Sequence, residues 1–169
     1  MEISFTSDSM YRTMIEDVVK ELIKRKITIS FAESCTGGSL ASALTRIPGS
    51  SNIFKGSFVT YSIEYKEKYL GVRPDVIKEF GVVSREVAEE MCFGLYSETG
   101  TDIAVSTTGN AGPTAGDEKE PVGTIFVGIK YQNKMKSFEL NLEGNREENI
   151  QKTVDFVFST IGKLIEESL

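Results

Sequence analysis

A chain of 169 residues, 40% hydrophobic and 26% charged, is long enough for one domain with a real core and short for two, and its composition is globular rather than disordered. A formal charge of −6 with no histidine argues against a protein that neutralises nucleic-acid phosphates and excludes every imidazole relay, leaving Lys, Tyr and carboxylates as proton carriers. No apolar run approaches the roughly 20 residues that span a bilayer, and the opening MEISFTSDSM lacks the basic and apolar regions of a leader. The expectation is a cytoplasmic protein with neither a membrane nor a nucleic-acid partner.

From about Asp8 to Lys26, the residues Ile15, Val18, Val19, Leu22 and Ile23 make the stripe of an amphipathic helix. Ile27 to Ala32 reads as a strand, which runs into the elbow Glu33-Ser34-Cys35-Thr36-Gly37-Gly38 and a helix from Ser39 to Arg46. Such elbows carry function in α/β proteins, because strand ends open into a crevice and helix N-termini offer N–H groups to anions. Taken alone, a Gly-Gly pair is equally well explained by close helix–sheet packing.

Pro48-Gly49-Ser50-Ser51 is a turn, Ile53 to Ser62 a strand, and Glu64 to Leu70 a helix. This passage holds Ser51, Tyr61 and Lys66, which together can make a nucleophile without histidine. Tyr61 at the strand end and Lys66 in the first turns of the helix would share one crevice, provided that Ser51 folds back beside them. Read without any other information, Ser51 is a turn residue, Tyr61 a half-buried strand residue and Lys66 a solvated lysine.

Pro74 to Phe80 is a short helix closed by Gly81, and Ser84 caps a longer one running to Thr99 before Gly100. Asp102 to Thr107 is a buried strand that delivers the chain into Thr108-Gly109-Asn110-Ala111-Gly112-Pro113. The polar run Thr114 to Glu120 reads as a solvated loop. Thr124 to Tyr131 and Lys134 to Leu142 form a hairpin, which makes the sheet mixed, and Asn145 with Glu148 caps a final long helix. The fold class expected is therefore α/β, a single three-layer domain over residues 1–169 with a mixed β-sheet flanked by helices. Cys35 and Cys92 show no metal or disulfide spacing, so chemistry without metal or cofactor is expected.

The ordered set AESCTGG, PGSS, YSIEYK, TGNAGP, PVGT and GNR resembles the CinA C-terminal domain family, also found as the stand-alone nicotinamide-nucleotide amidase. The resemblance covers nearly the whole chain. The amino-terminal domain that some members carry has no counterpart in this stretch. What it implies is hydrolysis of nicotinamide mononucleotide to nicotinate mononucleotide and ammonia, with a small-molecule nucleotide as substrate and a homo-oligomer as the assembly. The family's catalytic Ser, Tyr and Lys fall on Ser51, Tyr61 and Lys66, and the nucleotide is expected among Ser34, Thr36, Gly37, Thr108, Gly109, Ala111 and Arg146. Two positions depart from the pattern: Asn110 stands where the family usually has an apolar residue, and Asn145 where it usually has Asp.

As a mechanism, Lys66 would need a pKa lowered by burial to deprotonate a serine, Tyr61 would orient the amine or relay the proton, and backbone N–H groups of the Pro48–Ser51 turn or of Thr36–Gly38 would hold the oxyanion. Cys35 is the rival nucleophile, since a helix N-terminus can depress a thiol pKa. A non-catalytic nucleotide-binding or regulatory module and an amidase for another pyridine carboxamide are the competing readings.

Overall fold

The computed structural model describes residues 6–116 and 118–168. In chain order the elements are α1 (Thr6–Arg25), β1 (Ile29–Glu33), α2 (Ser39–Thr45), a 3-10 turn (Ser50–Asn52), β2 (Phe54–Val59), α3 (Ile63–Leu70), α4 (Pro74–Phe80), α5 (Arg85–Thr99), β3 (Ile103–Gly109), β4 (Thr124–Tyr131), β5 (Lys134–Asn141) and α6 (Arg146–Glu166). One five-stranded sheet, ordered β2-β1-β3-β4-β5, runs through the middle. The pairings of β1 with β2 and with β3 are parallel, and the β3–β4 and β4–β5 pairings are antiparallel. The mixed three-layer α/β domain expected from the sequence is what the chain forms.

Side-chain alternation along the strands sorts the two faces. Ile29 and Phe31 of β1 and Ile103 and Val105 of β3 join Val19, Leu22, Leu40, Leu44, Val157 and Phe158 in the larger core, beneath α1, α2 and α6. The intervening Ala32 and Ala104 face Val76, Val87, Met91, Cys92 and Leu95 under α4 and α5. Small residues on this second face let α5 approach the backbone, so that Ser106 donates to Ala88 O and Cys92 Sγ donates to Ala104 O at 3.2 Å. At Gly94 a Cβ would lie 1.8 Å from Leu70 O, so only glycine lets α5 pass the end of α3.

Element ends follow local chemistry. Ser62 Oγ accepts from Tyr65 N at 3.2 Å and Ser84 Oγ from Val87 N at 3.2 Å, while Asn145 and Glu148 form a reciprocal capping box. The Asn145 departure therefore leaves the cap intact.

The chain leaves β1 toward β2 on one side and reaches β3 on the other, so β1 sits where the direction of winding reverses. The carboxyl ends of β1, β2 and β3 lie together at that point, with Glu33 in register with both Val59 and Thr107. A crevice at this switch point is where an open α/β sheet binds its ligand.

Candidate active site

Two hydrogen bonds continue the parallel ladders past the strand ends, Ser34 N to Thr107 O and Thr60 N to Glu33 O, both at 3.0 Å. They hold Ser34 between the ends of β2 and β3. Lys66 reaches the same spot from α3. It lies one turn before Leu70, on the buried stripe of a helix whose other face carries exposed Glu64, Lys68 and Tyr69. Its side chain is 1% exposed, and its Nζ is 2.7 Å from Thr60 O and 2.9 Å from Ser34 Oγ. Burial holds the ammonium down to a pKa of about 8, against a smaller opposing pull from Cys35.

A cleft of about 360 Å³ opens above this pair, lined by Ser34, Cys35, Tyr61, Lys66, the β3 end Thr108–Ala111, Thr114, Gly116 and Arg146, among others. That volume is within the range of small-ligand sites. Arg146, the first residue of α6, donates from Nη1 to Gly112 O at 2.7 Å and from Nη2 to Tyr61 Oη at 2.8 Å. Tyr61 is 60% exposed and stands at the mouth, while Thr60 O, not Tyr61, orients the amine.

Of the residues expected from the sequence, Ser34, Tyr61, Lys66, Thr108, Gly109, Ala111 and Arg146 line this cleft. Three do not. Thr36 is buried beneath the elbow, Gly37 faces outward, and Ser51 is exposed on the 3-10 turn before β2. Tyr61 follows β2 whereas Ser51 precedes it, and a six-residue strand at about 3.3 Å per residue keeps the two roughly 20 Å apart. Ser51 is thus not brought to Lys66, and the Pro48–Ser51 turn contributes no oxyanion donor at this end of the sheet. The serine that meets the lysine is Ser34, 32 positions away in sequence.

Glu33 is a functional residue that the sequence did not single out. It is fully buried and its carboxylate accepts five hydrogen bonds: Oε2 from Thr36 Oγ1, Gly38 N and Leu40 N, and Oε1 from Ala41 N and Ser57 Oγ, at 2.8–3.0 Å. A carboxylate is placed where α2 presents its unpaired N–H groups, and it shapes the elbow that carries Ser34. Its only sequence signal is an acidic residue just ahead of Gly-Gly and a helix start. Replacing it with Gln turns an NH₂ group toward two or three donors, each costing about 1–3 kcal/mol when left unsatisfied. Glu33→Gln should therefore lower Tm by roughly 5–15 °C in thermal unfolding; a shift under about 2 °C would contradict this account of the elbow.

The same network bears on Cys35. Its thiol is pushed up to about 12, chiefly by burial, so the expectation of a depressed thiol pKa is overturned. Cys35→Ala should keep ammonia-releasing activity within about threefold, and Cys35 should react negligibly with a thiol alkylating reagent at pH 8, both following from a thiolate fraction of about one in 10⁴. Loss of activity on a par with removal of Ser34 would refute that assignment.

Asn149, fully buried, joins α6 to the β3 loop by donating to Ala111 O at 3.1 Å and Gly144 O at 2.8 Å. Asn110 was expected to offer its amide to the ligand. It is 3% exposed and instead spends it on the following loop, donating to Glu120 O at 2.8 Å and accepting from Gly116 N at 3.0 Å. That loop is not a purely solvated surface either, since Thr114 and Gly116 wall the cleft.

Comparison with known proteins gives one consistent result. The family model for the CinA C-terminal domain matches residues 11–165. A CinA-like protein of Endomicrobium trichonymphae is 47% identical over 134 residues, 79% of this chain and 31% of that protein. Solved structures similar to this one include a CinA superfamily protein from Klebsiella pneumoniae, with a TM-score of 0.89 at 29% identity covering 93% of this chain and 98% of that one. Another is the competence/damage inducible protein CihA from Agrobacterium tumefaciens, at 0.85 and 33% identity over 89% and 93% of the two chains. The chain spans about a third of the length of the curated relatives it matches.

Proposed function

This chain belongs to the CinA C-terminal domain family, and on that premise we propose that it is an amidohydrolase converting nicotinamide mononucleotide to nicotinate mononucleotide and ammonia, with Ser34 as nucleophile and Lys66 as base. The observation that carries the reading is the buried lysine with a pKa of about 8, held 2.9 Å from a serine hydroxyl at the floor of a cleft. An ordinary lysine, near pKa 10.4, is almost wholly protonated at neutral pH; one near 8 is neutral in roughly one molecule in ten at pH 7.

In its neutral form Lys66 accepts the Ser34 proton while Oγ attacks the carboxamide carbon. The resulting ammonium then protonates the departing amide nitrogen, which leaves as ammonia, and an ester to Ser34 remains. Water, deprotonated by the same amine, hydrolyses that ester to the carboxylate and restores the hydroxyl. Of the backbone donors in the elbow, Gly37 N–H is committed to Ser34 O and Gly38 N–H to Glu33. This leaves Thr36 N–H as the oxyanion donor of that trio. Arg146, at the N-terminus of a 21-residue helix, supplies charge for the nucleotide phosphate where the helix dipole adds to it.

The test is ammonia release from nicotinamide mononucleotide by the purified protein. Release that vanishes in Ser34→Ala supports the reading, and folded protein that binds the nucleotide without releasing ammonia would replace it with a binding module.

A further inference from the structure

The departure at Asn110 gives this chain a feature of its own, and the inference from it rests on the amidase reading above. The segment that leaves Asn110 and returns at Gly123 is an Ω-like loop. Its base is closed by two backbone bonds, Asn110 N to Thr124 O at 2.9 Å and Gly123 N to Asn110 O at 2.7 Å. Asn110 also pins the loop from within, one amide atom on Gly116 N and the other on Glu120 O. The loop packs on itself at Gly112, where a Cβ would come within 2.9 Å of Val122. On its outer side Lys119 Nζ reaches the last turn of α4, at 3.3 Å from Lys78 O and 3.2 Å from Glu79 O.

The path of this loop relative to the phosphate-binding group decides its consequence. Gly112 O accepts from Arg146, so the chain passes the arginine and then, at Thr114 and Gly116, forms part of the cleft wall. A ligand whose phosphate sits on Arg146 and which continues beyond that phosphate has this wall in its way. A mononucleotide ends at the phosphate; a dinucleotide does not.

We propose that Asn110 is a specificity-determining residue: by fixing the wall at Thr114–Gly116 it restricts the cleft to a single nucleotide and excludes substrates extended through a pyrophosphate. An apolar side chain at this position lacks the donor and acceptor that fix Gly116 and Glu120, and leaves the wall free to yield.

The experiment measures ammonia release from nicotinamide mononucleotide and from nicotinamide adenine dinucleotide, and binding of both by calorimetry, for wild type, Asn110→Ala and Asn110→Asp. The wild type should favour the mononucleotide. Asn110→Ala should raise the dinucleotide-to-mononucleotide ratio, in kcat/KM and in affinity, by about tenfold or more, the scale on which a pocket wall discriminates. Asn110→Asp keeps the acceptor for Gly116 but sets an oxygen against Glu120 O, so a smaller shift in the same direction is expected; it carries the test should the alanine variant not fold. A ratio unchanged within about twofold in a folded variant overturns the proposal, as does wild type that takes the dinucleotide equally well, and both leave the amidase reading standing. Wild type that neither binds nor hydrolyses the mononucleotide overturns both.

Discussion

Ser34→Ala should reduce ammonia release by at least about 10³-fold, because loss of the nucleophile leaves only binding and oxyanion stabilisation, whereas Ser51→Ala should change it by less than about twofold, as for an exposed residue outside the site. The contrast follows from position on the sheet. Ser34 stands at the carboxyl end of β1, 2.9 Å from Lys66 Nζ, and Ser51 lies before the start of the neighbouring strand. Steady-state rates of the two variants beside wild type decide it. A larger loss in Ser51→Ala than in Ser34→Ala would restore the nucleophile suggested by family resemblance.

Lys66→Met should abolish activity on the same scale without unfolding the protein more easily. With a pKa of about 8, kcat/KM of the wild type should rise about tenfold per pH unit below 8 and level off above it, since only the neutral amine can take the proton. Stability carries the same signature with a definite sign. Burial lowers the lysine pKa from 10.5 to about 8 in the folded state, so between those values the unfolded chain binds more protons and stability rises with pH; below 8 the full penalty for burying the charge is present. That penalty is at most roughly 3 kcal/mol, against two hydrogen bonds of about 1 kcal/mol each that are lost with the amine. Lys66→Met should therefore match or exceed the wild-type Tm at pH 7 and lack the rise above pH 8. Thermal unfolding across pH 6–10 reads both; a wild-type stability that falls through pH 8 to 10 would mean the lysine pKa is raised, not lowered.

These two predictions mark where the sequence was legible and where it was not. Elements bounded by local chemistry could be read directly: Pro74 and Gly81 around α4, Ser84 and Gly100 around α5, and the Asn145–Glu148 box before α6. The cleft was also legible in outline, because strand ends running into Gly37, Gly38 and Gly109 mark the carboxyl edge of the sheet. Lys66 could be found as well, since its spacing from Leu70 puts a charge on a buried stripe.

Its partner could not, for a physical reason. Ser51, Tyr61 and Lys66 are close in sequence, but an extended strand converts that proximity into distance. Ser34 and Lys66 are brought together by parallel pairing of β1 with β2, a non-local contact that no local pattern encodes. The same holds for Glu33, whose five donors come from the elbow, α2 and β2, and for Asn110, whose partners lie six and ten residues on.

The most direct measurement of the central claim is where the acyl group sits during turnover. The protein is acid-quenched while hydrolysing nicotinamide mononucleotide, digested with trypsin and analysed by mass spectrometry, since cleavage after Lys26, Arg46 and Lys55 puts Ser34 and Ser51 on separate peptides, 27–46 and 47–55. The account predicts a nicotinate mononucleotide ester on peptide 27–46, localised by fragmentation to Ser34 and absent from Ser34→Ala. An adduct on peptide 47–55, or one on Cys35, would contradict it.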